Sequence, residues 1–201
     1  MSDLYLYLMC SRNKDNKEIK GFKKRSKTIL EYNFNEDKIE KIFENFTAEG
    51  IPGEKTRLYR SVNSRNAMKI KEDLIIYLLK DHSYHSLTNI NKVITSISEK
   101  KENRDDSKWL FDFDEKNEDL ANNFIKDIEH LVKSSKINSN IALLSYEEIK
   151  INIEKYKTPN GFAIVVGHGF DTRELMEKWK DYDITLKKDA LLFIKSDERI
   201  K

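Results

Sequence analysis

Residues 108–114 run Lys108-Trp109-Leu110-Phe111-Asp112-Phe113-Asp114, an apolar stretch ending in two carboxylates spaced i, i+2. On an extended strand alternate side chains share a face. Asp112 and Asp114 then point one way, and Phe111 and Phe113 are buried on the other. Two like charges held side by side repel, so a fold keeps such a pair most readily with a cation between them. Hard divalent ions bind through one or two carboxylates together with substrate phosphates. The pattern predicts a half-buried strand and points to nucleotidyl transfer. The plainer alternative is a solvated strand end, with Asp114 capping the next helix.

The rest of the chain alternates strand and helix signals. Strands are expected over 4–10, 27–34, 56–63, 150–157 and 162–166. Helices are expected over 35–46 (Ile39, Ile42, Phe43 and Phe46 inward), 64–80 (Ser64 as cap; Met68, Leu74, Ile75 and Leu78 inward), 87–98, 117–133 (Leu120, Phe124, Ile128 and Leu131 inward) and 172–179 (Asp171 as cap, Glu174 completing a capping box). Residues 11–26 are basic and polar and read as a loop or hairpin. The run 100–107 has no apolar residue and reads as a charged linker. Segment 138–144 is ambiguous. Residues 182–187 and 190–194 look like two closing strands around Lys187-Lys188-Asp189. Strands interleaved with helices, some paired as hairpins, predict an α+β fold: a mixed or antiparallel sheet flanked by helices.

The chain has 201 residues, enough for one substantial core. It reads as a single domain, 1–201, with a less diagnostic front portion, 1–55, and a core, 56–194. Ten Phe, nine Tyr and two Trp argue for a folded chain rather than a disordered one. A net charge of +2 excludes a histone-like polycation but leaves room for local basic patches. The lone Cys10 makes no internal disulfide, is expected in the core, and fits a reducing cytoplasm. No apolar stretch nears the roughly 20 residues that span a bilayer, so no membrane partner is expected. Met1-Ser2-Asp3 does not open a secretory signal.

Further groups carry candidate chemistry. Lys155 and Lys157 share a strand face and lead into Thr158-Pro159-Asn160-Gly161, the Asn-Gly being a strong hairpin signal. Paired ammoniums beside free turn amides suit phosphate oxygens, although a solvated hairpin arm is equally ordinary. Arg57, Arg60 and Arg65 fall on a strand and at the start of the next helix, where guanidiniums and helix-end amides favour phosphate; surface basicity is the bland alternative. Asp189 sits between two strands, and alone reads as a turn residue. His168, flanked by Gly167 and Gly169, has the freedom to reach a substrate or simply to occupy a turn. His82 and His85 lack accompanying cysteines, which makes a metal role for them unpromising.

Together these segments resemble the archaeo-eukaryotic primase superfamily, the primase-polymerases. The family signature is a strand with hydrophobic-Asp-hydrophobic-Asp, a later hairpin strand carrying a small residue and a histidine, and a third acidic residue beside a following strand. Phe111-Asp112-Phe113-Asp114 matches the first, Thr158 to Ala163 resembles the second, and Asp189 stands for the third. The resemblance implies an RRM-like core and a small phage-type member of the group, cytoplasmic in a bacterial host. It implies Mg²⁺ or Mn²⁺ held by Asp112, Asp114 and Asp189 for catalysis. It also implies a nucleoside triphosphate, DNA or RNA partner met by Arg57, Arg60, Lys155, Lys157, Asn160 and His168. One departure matters: Ala163 stands where the family has its phosphate-contacting histidine. The expectations are therefore a catalytically impaired relative, a substitute donor in His168 or Lys157, or an altered position. Two further readings stand beside the enzyme: a non-catalytic nucleotide or nucleic-acid binder, and an accessory protein acting on a host protein through helices 87–98 and 117–133.

Overall fold

The computed structural model describes residues 3–80, 85–137 and 152–200. The first elements are β1 (Leu4–Ser11), β2 (Arg25–Tyr32), α1 (Glu36–Ala48), β3 (Lys55–Ser61), α2 (Ala67–Lys80), α3 (His85–Thr88) and α4 (Ile90–Ser98). Then come β4 (Trp109–Phe113), α5 (Glu118–Ile137), β5 (Ile153–Lys157), β6 (Phe162–Val166), α6 (Arg173–Lys178), β7 (Ile184–Lys187) and β8 (Leu191–Glu198). The ambiguous segment 138–144 and His82 lie outside the described residues, as does the side chain of His85. The chain is α+β with two four-stranded antiparallel sheets. It forms two compact units, Met1–Asp106 with Leu191–Lys201, and Ser107–Ala190. Strand β3 therefore belongs with the front portion of the chain and not with the acidic strand. Among the described residues no helix is long and apolar enough to cross a membrane.

In the first unit the sheet order is β2-β1-β3-β8. The alternation of β1 sends Tyr5, Tyr7 and Met9 to one face, where they pack with Leu58 against Ile39, Phe43 and Phe46 of α1. Leu4 faces the other way, into a cluster with Ile70 of α2 and Ile97 of α4. Cys10 is buried as expected, and burial pushes its thiol pKa up.

Four local expectations are revised here. Ser64 does not cap α2; its hydroxyl donates to Asp106 at 2.7 Å, and Asn66 Oδ1 instead accepts the Lys69 amide at 2.9 Å. Helix α2 carries apolar residues on more than one stripe, and the later start turns Ile70 inward while Met68 and Ile75 are 64% and 49% exposed. Residues 100–107 lead into the boundary between the two units, but they are anchored rather than free. They hold a 3₁₀ turn, Lys101–Asn103, whose buried Asn103 amide donates to the Ile97 carbonyl and to Asp73, both at 2.9 Å. Finally, β7 and β8 do not close a hairpin, because β7 pairs with β4 and β8 with β3.

The second unit runs β4-α5-β5-β6-α6-β7 with sheet order β5-β6-β4-β7. Each helix thus joins two parallel strands separated by an antiparallel one. Phe111, Phe113, Phe162, Ile164 and Val166 face Ala121, Phe124, Ile128 and Val132 of α5, together with Leu175 and Trp179. Phe124 lies at the centre, edge-on to Phe111 and to Trp179 with ring centroids 5.3 Å away in both pairs. The Trp179 indole also donates to Asp127 at 2.8 Å, which satisfies the one polar atom that this aromatic group would otherwise bury unpaired. Asn117 caps α5, its Oδ1 accepting the Asp119 amide at 2.9 Å. Glu174 completes no capping box; Asp171 instead accepts the Arg173 amide at 3.1 Å.

Candidate functional site

Strand β4 behaves as the alternation predicts. Phe111 and Phe113 are fully buried in the helix-covered core, and Asp112 projects from the opposite face with its side chain 29% exposed. Its direct cross-strand partners are Ala163 on β6 and Thr185 on β7. Tyr156 on β5 faces Ala163 in turn. A row of four side chains, Tyr156, Ala163, Asp112 and Thr185, therefore crosses the sheet on one face. Lys187, two residues beyond Thr185, shares that face and donates to Asp112 Oδ2 at 2.5 Å. An ammonium, rather than a second carboxylate, is what sits beside Asp112.

The three acids expected to gather do not converge. Asp114 lies just past the Phe113 end of β4, where its amide bonds the Asp183 carbonyl at 3.0 Å. Strand β7 runs antiparallel to β4, with Ile184 opposite Phe113 and Lys187 opposite Leu110. Strand β7 ends at Lys187, opposite Leu110, and Asp189 follows in the bend beyond it, whereas Asp114 lies past the other, Phe113 end of β4. The two ions of a two-metal site are only about 4 Å apart. Among the described residues no group of three or more His, Cys, Asp or Glu side chains is placed to hold a metal ion. The residues present do not fit the Mg²⁺ or Mn²⁺ pair implied by the resemblance.

The candidate cationic residues are also dispersed. Lys155 pairs with Ile164 in register and so lies on the helix-covered face, opposite to Asp112. Its ammonium is committed to Glu118 at 2.6 Å and Asn122 at 2.8 Å, above the Phe162 ring, and it holds the Glu118 carboxyl below its usual range. Lys157 follows on that same face and is exposed. Asn160 is in the four-residue β5–β6 loop, and His168 is exposed with Nδ1 3.0 Å from the Gly169 carbonyl oxygen.

Arg57 and Arg60 belong to the other unit, and the alternation of β3 puts them on opposite faces of its sheet. Arg57 is bound to Asp15 at 2.5 Å and lies over Phe193, while Arg60 lies 4.8 Å from the centroid of Tyr5. They do not form one phosphate clamp.

Lys187 and Thr185 are the neighbours of Asp112 that the sequence reading missed. The available signal was their own i, i+2 spacing, which repeats that of Asp112 and Asp114, but only the strand order brings the two pairs together. No family model, no curated protein and no solved structure matches this chain.

Proposed function

We propose that this chain binds nucleotides on a primase-polymerase-like, RRM-like scaffold and that it is catalytically impaired. The reading is supported above all by the register that sets Asp112 directly opposite Ala163. That register brings residues of the first two resembling motifs side by side on one sheet face. Among the described elements, the β-α-β-β-α-β order with sheet order β5-β6-β4-β7 supports this reading, resembling the split β-α-β arrangement of ferredoxin-like folds. RRM sheets of this kind stack bases on aromatic side chains of the helix-free face. Half-buried Tyr156 lies on the Asp112 face beside buried Ala163, and Thr185 and Lys187 supply a hydroxyl and an ammonium further along the row. Impairment follows from two features: Ala163 has no donor for a phosphate, and Asp189 lies past the opposite end of β4 from Asp114.

The test is calorimetric titration with a nucleoside triphosphate alone, in the absence of polynucleotide, with and without Mn²⁺. Binding is expected without the ion, and Tyr156→Ala should weaken it about tenfold or more, as loss of one base–aromatic stack does. Primer extension that needs Mn²⁺ and disappears in Asp112→Asn would overturn the impaired reading.

A further inference from the structure

Residues 12–27 contain eight of the chain's Lys and Arg side chains and only two acids, Asp15 and Glu18. That segment carries +6 while the whole chain carries +2, so the remainder is net −4. The fold treats its two arginines and six lysines differently. Arg12 is paired with Asp15 at 2.9 Å and Arg25 with Glu54 at 2.7 Å. Lys14, Lys17, Lys20, Lys23, Lys24 and Lys27 are all exposed, and none of them forms an ion pair among the described residues.

The β1–β2 connection that carries them is built and anchored. Buried Asn16 donates to the Lys55 carbonyl at 3.0 Å and accepts the Lys55 amide at 2.7 Å. Successive i→i+3 backbone bonds close the turns: Asp15 to Arg12, Asn16 to Asn13, Ile19 to Asn16, and Phe22 to Ile19. Gly21, at φ +80°, supplies the one left-handed residue. Lys14, Lys17, Lys20 and Lys23 recur at every third position along this anchored connection, each exposed.

We propose that residues 12–27 form a docking arm for the phosphate backbone of a single-stranded nucleic acid. Repeated point charges without arginine forks suit repeated phosphates and carry no base preference. An anionic bilayer is the weaker fit, because the segment's only apolar side chains, Ile19 and Phe22, are half-buried and offer no wedge for acyl chains. The arm does not rest on the reading of the Asp112 face, and the mononucleotide titration reports that face separately, so either can fail alone.

The experiment is a salt titration of the full chain against a fluorescein-labelled oligothymidylate of about 20 nucleotides, read by anisotropy. Six engaged lysines give a slope of log K against log salt of about −4. Substituting Lys14, Lys17, Lys20 and Lys23 by Gln should make the slope shallower by about 3 and weaken low-salt affinity at least tenfold. A control with Lys41, Lys71, Lys92 and Lys126 changed to Gln removes the same net charge and should retain the wild-type slope. The proposal is overturned if the arm variant binds like wild type. It is equally overturned if the control loses as much, or if vesicles of anionic phospholipid are bound as tightly as the oligonucleotide.

Discussion

Asp15 shows how a charge can be structural in one residue and instructive for its neighbours. It accepts from Arg12 at 2.9 Å and from Arg57 at 2.5 Å. Burial alone would raise its pKa, but the two guanidiniums outweigh burial and hold the carboxyl below its usual range. A carboxyl depressed in the folded state stabilises fully above its unfolded pKa of about 4 and loses that contribution as pH falls through the folded value. Urea unfolding followed from neutral pH down to about pH 3 should therefore show stability declining below about pH 4. Asp15→Asn should lower stability at neutral pH and flatten that decline; an unchanged pH profile in the variant would contradict the assignment. The arginine cluster at 57–65 was legible in the sequence, but its use was not. The partner of Arg57 is 42 residues away, and the arm's ordinary-looking lysines stand out only once the arginines are seen to be spent on Asp15 and Glu54.

Among the elements, the β5–β6 hairpin separates what a motif announces from what it does. The turn falls at 158–161 as the sequence predicts, but neither Asn160 nor Gly161 has the positive φ that a two-residue Asn-Gly hairpin turn would need. Gly161 is needed for closeness: a Cβ there would lie 2.1 Å from the Phe113 carbonyl oxygen. Gly161→Ala should cost about 3 kcal/mol, the upper range for overpacking, and should disturb the Phe113 end of β4. Thermal denaturation and amide exchange at Phe113 and Asp114 would measure both. Most strands and helices were readable because β4, α1 and α5 each present one clear apolar face and β1 is an alternating Leu/Tyr run. Helix α2 was misread because Met68, Ile70, Leu74 and Ile75 offer two competing stripes, and only Asn66 decides between them. The run 100–107 looked like a linker because one buried amide, that of Asn103, leaves no hydrophobic trace.

For the whole molecule, sequence order and sheet membership part company. Strands β7 and β8 are separated by three residues yet belong to different sheets. Alternation tells which face a residue takes, never which sheet its strand joins, so the two expected closing strands are found but in different sheets. The surroundings of Asp112 were half legible for the same reason: alternation gave its face, whereas Ala163 and Thr185 became its cross-strand partners through a register that no local pattern encodes. Removing 191–201 should strip β3 of its outer partner, including the bond from Thr56 to the Asp197 carbonyl at 3.3 Å. Hydrogen exchange at β3 amides should then rise by orders of magnitude; retained protection would mean that β8 contributes little to that sheet.

The late return of β8 also bears on synthesis. When β3 leaves the ribosome, about 130 residues must still be translated before its partner exists, which takes on the order of ten seconds at ordinary elongation rates. Throughout that interval the nascent chain offers a bare, hydrogen-bonding flank to any neighbour with an unpaired strand, whereas the sheet within residues 107–190 draws all its strands from one contiguous stretch. Chaperone holding of the emerging chain, or slow codons placed after 198 rather than before it, is the kind of safeguard such an ordering calls for.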